Sequence, residues 1–374
     1  MKKILVSLFS LLPVVFALPQ LNAGQYLPFH QELCLDQFYA QAAPELINQK
    51  LAVNSYPLCN QGFSVNYSGV SKTPIWVAEK LTPERLSIRI KREDNFHEDS
   101  RLPVSIQATL DDYRGSGYDR GHMAPNADMN NKNSQYQSFA LSNIVPQASD
   151  NNQNTWREIE EATRAMVSKY KLDGYIITGP AYLEPTVRYV KKGHDVLVPS
   201  HVFKAIYFPR IGLASAYLSP NDSTRQAQVM SICALEEKIG INLFPRVDEQ
   251  SKRQVYQLPR RTNQVKAKKH PQYLNTDMHS QCAPTVEAEQ ILATQKTFVK
   301  NQSHDNEITN LKNIDLKSLD LKTLEKMVSE GKLSHEVIEQ LPSSQKESRQ
   351  EYGVSMNKWL LAVIRWLKLN NSQE

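Results

Sequence analysis

The sequence predicts an α+β fold, and three observations carry that reading. Short apolar runs of strand character recur without the regular helical interludes of alternating βαβ units. A polar, turn-rich segment from Tyr113 to Asp150 interrupts them and leads into an amphipathic helix at Trp156–Tyr170. After Cys282 the strand signals stop, and Glu307–Leu341 reads as a polar helical region.

From the N-terminus, Lys2 and Lys3 precede an apolar run from Ile4 to Ala17, with small residues at Ala17 and Ala23 as cleavage points. Residues 1–23 thus have the form of a signal peptide, too short to span a bilayer comfortably, and predict a secreted or periplasmic protein. A buried N-terminal strand or an uncleaved anchor is the alternative. Export would carry Cys34, Cys59, Cys233 and Cys282 into an oxidising compartment. Four cysteines without CxxC spacing then read as two disulfides and not as a metal site. Of the three pairings, proximity along the chain favours Cys34 with Cys59 and Cys233 with Cys282.

Strands are expected at Phe63–Tyr67, Ile75–Glu79, Tyr175–Thr178, Val196–Val198 and Val202–Phe208, where β-branched and aromatic residues are bounded by Gly, Pro or Ser. A second helix is expected at Ser223–Ile239, with Pro220, Asn221 and Asp222 as its turn and cap. With 40% apolar residues in a chain of 374, a substantial core is available and a largely disordered chain is excluded. A boundary near residue 284 separates a domain over 24–283 from a helical extension over 284–374. There, Trp359, Leu360, Val363, Ile364 and Leu367 share one helical face, fit for the body, a protein partner or peripheral contact with a membrane surface. Nothing in the sequence indicates the oligomeric state.

The formal net charge is +5 and the pI about 8.8, a modest excess that suits a polyanionic partner without requiring one. Arg260, Arg261, Lys266, Lys268, Lys269 and His270 form a basic stretch, readable as a solvated loop or as a phosphate-contacting surface.

The chemistry concentrates in Tyr118-Asp119-Arg120-Gly121-His122-Met123-Ala124-Pro125, continued by Asn126-Ala127-Asp128-Met129 and by Ser142-Asn143-Ile144-Val145-Pro146-Gln147. A neutral imidazole takes a proton from water near neutral pH, and a neighbouring guanidinium stabilises charge on phosphate oxygens. These residue types suit phosphodiester hydrolysis. Gly121 would let the backbone turn so that His122 faces a groove. His97, His194, His201 and His270 lack a partner set with zinc-ligand spacing.

Asp119-Arg120-Gly121-His122, followed by Ser142–Gln147 and then Asn152, Trp156 and Glu160, resembles the DNA/RNA non-specific endonuclease family, the ββα-metal nucleases. The likeness extends from about Cys34 to Cys282, through Ile75–Glu79, Ile177–Pro180, Val198-Pro199 and Phe203–Ala205. It implies a central antiparallel sheet and a helix that carries a metal-binding Asn. The resemblance further implies His122 as general base and Asn152 as the protein ligand of Mg²⁺, with Mn²⁺ or another divalent cation as the alternative. Arg120 would contact the phosphate, and Glu160 would hold water in the metal's outer shell. Glu158 is the local alternative to Glu160: from Asn152 the two lie about 120° and about 80° away on opposite sides of a 3.6-residue helix.

A further family arginine is best matched by Arg92, with Arg89 and Arg101 nearby. Asp119 and Asn143 are read as supporting residues that orient the loop and the imidazole. The implied activity is sequence-non-specific endonucleolytic cleavage of DNA and RNA to 5′-phosphate products, since no element is evidently dedicated to base edges. A phosphodiesterase of smaller substrates and a nucleic-acid-binding protein on the same fold remain the alternatives.

Overall fold

The computed structural model describes residues 34–286. The signal peptide read at 1–23, the helical region at Glu307–Leu341 and the apolar face at Trp359–Leu369 lie outside the described residues. After a short strand β1 (Glu45–Leu46) come β2 (Ser55–Asn60), β3 (Phe63–Ser68) and β4 (Thr73–Leu81). β5 (Asp119–His122) and β6 (Ile144–Gln147) form a separate hairpin. β7 (Gly174–Ala181) rejoins the first sheet, β8 (Arg188–Tyr189) and β9 (Leu197–Val198) make a small pair, and β10 (His201–Phe208), β11 (Leu213–Pro220) and β12 (Gln228–Met230) follow.

The main sheet runs β12-β11-β10-β7-β4-β3-β2, and each neighbouring pair is antiparallel. Both of its faces are covered, so its central strands read as continuous apolar runs and not as alternation. Along β10, Val202, Ile206 and Phe208 join the core beneath helix α1 (Arg157–Tyr170), while Phe203, Ala205 and Tyr207 join the core on the other face. Helix α1 contributes Ile159, Ala162, Met166 and Val167 to the first core, a stripe at three- and four-residue spacing. Trp156, just before it, is 1% exposed and anchors the same face.

All five expected strands are present, with somewhat longer or shorter bounds. Two expectations need correction. Ser223–Ile239 is not one helix: Gln228–Met230 pairs with β11, and the helix begins only at Ile232, where Ser231 accepts a hydrogen bond from the Ala234 N–H as its cap. Pairing of the edge strand takes those residues before a helix can include them. The segment Tyr113–Asp150 is also not only loop, since it holds the hairpin and a helix at Lys132–Ser138.

Both favoured disulfides are present, Cys34–Cys59 and Cys233–Cys282. The second ties the helix Ile232–Ile239 to Cys282, near the end of the described residues. Beside it lies a fully buried ion pair: Lys252 Nζ is 3.0 Å from Glu236 Oε1 and donates to Asn242 Oδ1 at 2.7 Å. Such a pair contributes little net stability, but removing one partner strands the other charge in the core. Replacing Lys252 with Met therefore lowers unfolding free energy by about 3–5 kcal/mol in urea titrations. The double replacement of Lys252 and Glu236 by apolar residues loses less.

Candidate active site

His122 ends β5, whose register with β6 sets Asp119 opposite Gln147 and His122 opposite Ile144. A Cβ on Gly121 would lie 2.0 Å from Gln147 Oε1. Close approach of Gln147, and not the backbone turn expected from the sequence, is therefore what requires glycine there. Asn143 is fully buried; its Oδ1 accepts from the Ala124 N–H at 2.9 Å, and its Nδ2 donates to the carbonyls of Ala124 and Ser138 at 2.9 and 2.8 Å. These bonds fix the backbone that follows His122 and act on the ring only through it.

The imidazole is bracketed by Phe96 and Phe139, at centroid distances of 5.3 and 4.9 Å. Its Nε2 is closed to solvent and has no hydrogen-bond partner. The Arg120 guanidinium lies 4.1 Å over Phe96 and that of Arg92 lies 5.4 Å over Phe139. Burial lowers the His122 pKa to about 3; the charges of Arg92 and Arg120 add to this and Asp94 opposes it. At physiological pH the ring is neutral and able to accept a proton.

Asp94 holds Arg92 at 2.7 Å. Among its sequence alternatives, Arg101 is engaged by Asp99, the Cys59 carbonyl and Asn60 Oδ1 at 2.6, 2.7 and 2.9 Å, and Arg89 is exposed. Arg92 is thus the one of the three whose charge acts on His122.

Asp119 does not orient the imidazole, as was expected; it binds the start of the helical segment. Ser149 Oγ donates to its Oδ1, and Asn152 Nδ2 and Gln153 Nε2 donate to its Oδ2, each at 2.8 Å. Partial burial opposes ionisation, yet these bonds and Arg120 hold the carboxyl below its usual range. Because the Asn152 amide nitrogen is committed to Asp119, its Oδ1 is left as the outward acceptor.

Asn151–Trp156 forms a π-helical turn before α1. The 3.6-residue wheel that compared Glu158 with Glu160 does not hold through such a turn, which contains more residues. The structure separates the two by their partners instead. Glu158 Oε2 accepts from Arg261 Nε at 3.0 Å on the surface. Burial raises the Glu160 pKa to about 7, while Lys204 and Arg164 draw it down.

Four supporting residues were not singled out from the sequence. Gln147 Nε2 donates to Asn151 Oδ1 at 2.6 Å, and Asn151 Nδ2 donates to Ser219 Oγ and the Pro220 carbonyl at 2.7 and 2.9 Å. Asn221 binds the Pro146 and Pro199 carbonyls at 3.0 and 2.9 Å, and so fastens the hairpin to the main sheet. Lys204 is 1% exposed and donates to Thr178 Oγ1 at 2.7 Å. Its signal was available: a lone charge in Val202–Phe208 demands a partner when the run is buried. In the basic stretch, Arg261 binds Glu158, Arg260 binds the Ala227 carbonyl, and Lys266, Lys268 and Lys269 are exposed.

A family model described as DNA/RNA non-specific endonuclease matches residues 43–250, more than half of the chain. The chain belongs to this family. Human mitochondrial nuclease EXOG is 33% identical over 216 residues, covering 52% of this chain and 58% of the relative. Human mitochondrial endonuclease G is 33% identical over 212 residues, covering 52% and 68%. A solved EndoG/EndoGI complex aligns at 24% identity and a TM-score of 0.46, over 53% of this chain and 89% of that one.

Nucleases of this endonuclease family are metal-dependent. Among the described residues, no group of three or more His, Cys, Asp or Glu is placed to hold a metal ion. The expected secreted or periplasmic location is overturned by these relatives, which with those of Schizosaccharomyces pombe and Saccharomyces cerevisiae are mitochondrial nucleases. A basic and apolar N-terminal stretch serves more than one targeting route, so its form did not settle the destination.

In a titration followed by imidazole ¹⁵N shifts, His122 stays neutral across roughly pH 5 to 8. The unfolded chain, with an ordinary histidine at 6.5, takes up a proton that the folded one refuses. Stability from this group is thus present above pH 6.5 and falls as the pH drops toward 3. A folded-state midpoint near 6.5 would contradict the bracketed geometry.

Proposed function

We propose that this protein hydrolyses phosphodiester bonds of DNA and RNA without sequence specificity, using Mg²⁺ and leaving 5′-phosphate ends. The observation that carries this reading is the pairing of a neutral, bracketed His122 with Asn152, whose amide is oriented by Asp119. The residues fit the ion: one amide oxygen suits a hard cation that keeps most of its waters, and Glu160 lies on the same helical run to hold one of them. When bound, the cation supplies charge stabilisation at the scissile phosphate.

On this reading Arg120 and Arg92 seat the phosphate, each supported by an aromatic face. His122 takes a proton from the attacking water at Nδ1, the nitrogen left once Nε2 is closed off. The new bond forms at phosphorus as the bond to the 3′ oxygen breaks, and that oxygen leaves as a hydroxyl with a proton taken from a second water. Asp119 acts on Asn152 as a positioning residue, and Asn143 acts on the backbone after His122.

Plasmid DNA and RNA are both degraded with Mg²⁺ and spared with EDTA, and His122→Ala lowers the rate about 10²–10⁴-fold at unchanged folding. Cleavage that survives the substitution would remove His122 from the mechanism. Rates on polymers fall steeply with added salt; a flat response would favour a small phosphodiester as substrate. Asp119→Asn weakens Mg²⁺ binding about 10–100-fold by calorimetry, since the charge that aligns the Asn152 amide is gone.

A further inference from the structure

Tyr136 stands on the helix Lys132–Ser138 and is 43% exposed. Its ring stacks on His97 with centroids 4.2 Å apart and planes only 10° from parallel. The ring pairs around His122 meet edge-on or tilted, so this flat two-ring stack differs from them in kind. His97 is rigidly held. Its Nδ1 lies 2.7 Å from the Asn95 carbonyl oxygen, its N–H donates to the Phe139 carbonyl, and its carbonyl accepts from the Leu141 N–H at 2.8 Å.

The stack adjoins the proposed catalytic block. His97 follows Phe96, and Tyr136 lies one helical turn before Phe139, the two rings that bracket His122. Two cations stand on the same segments: the Arg92 side chain, five residues before His97, is 56% exposed, and that of Lys132, one helical turn before Tyr136, is 86% exposed. Their acidic neighbours Asp94 and Glu93 sit at 2.7 and 3.7 Å. At such exposure those ion pairs are weak enough for a polyanion to compete with them.

We propose that the Tyr136–His97 stack is a subsite for an unpaired nucleobase next to the scissile phosphate, with Arg92 and Lys132 meeting the adjoining backbone. A base inside a duplex has both faces covered by its neighbours and cannot stack on the exposed ring of Tyr136. An unpaired base can, whatever its identity, because every base offers a π face. The subsite thus confers a preference for single strands without reading sequence. It rests on the nuclease reading and deepens it.

The test is binding of a single-stranded oligodeoxynucleotide carrying 2-aminopurine, and of its duplex, to His122→Ala protein, read within minutes of mixing, before its slowed cleavage consumes the strand. Added Tyr136→Ala weakens the single strand about fivefold or more and abolishes stacking-induced quenching, while duplex affinity changes less than about twofold. Tyr136→Trp restores both signals and Tyr136→Leu does not. In the cleaving enzyme, Tyr136→Ala raises KM on single strands at unchanged kcat. Equal affinity for the single strand after Tyr136→Ala, or an equal loss on strand and duplex, overturns the subsite. If the protein with Tyr136 intact binds neither oligonucleotide, the nuclease reading itself fails.

Discussion

The site depends on one carboxylate, because Asp119 of β5 gathers three side chains from the start of the helical segment. The hairpin β5–β6 is fastened to the main sheet through Asn221, and the helical segment is docked on β11 through Asn151. Gln147 of β6 reaches across to Asn151, and the hydrogen bonds from Ser149, Asn152 and Gln153 to Asp119 close the same seam from β5, the strand that ends in His122. A charged acceptor strengthens each of them, and three donors on one carboxylate leave it little rotational freedom.

Electrostatics around His122 show a balance between two demands. The guanidiniums that suit a phosphate also disfavour an imidazolium, and burial works in the same direction. The ring is therefore always ready to accept a proton but is intrinsically a weak base. An anion near the ring opposes part of that effect, since opposite charge favours the protonated imidazole. The basicity of the group is thus tied to occupancy of the place next to it.

Much of this was legible in the sequence for a physical reason. Strands β3, β4, β7 and β10 are rich in β-branched and aromatic residues, and the cysteines close in sequence are close in space. Strand β11 escaped notice because Leu-Ala-Ser-Ala-Tyr-Leu-Ser-Pro contains small residues that do not signal a strand. They suit a central position where Ala214 and Ala216 face one core and Leu213 and Tyr217 the other. Arg120, His122 and Asn152 were placed by motif, but the direction in which Asp119 acts was not. A carboxylate that lies 30 to 34 residues along the chain from its donors chooses its partners in three dimensions, and spacing along the chain does not encode that choice.

The π-helical turn at Asn151–Trp156 has a further consequence. Such a turn is equivalent to one extra residue inserted in an α-helix. The apolar stripe of α1 is registered on the sheet from Trp156 onward, so the surplus is absorbed entirely on the Asn152 side. Loss of one residue here would let an ordinary helix form with its packing intact, yet would turn Asn152 about 100° around the axis from Asp119. A substitution at Thr155, which carries none of the contacts above, can be tolerated in this turn where the loss of a residue cannot: the turn encodes a count of residues as much as their identity.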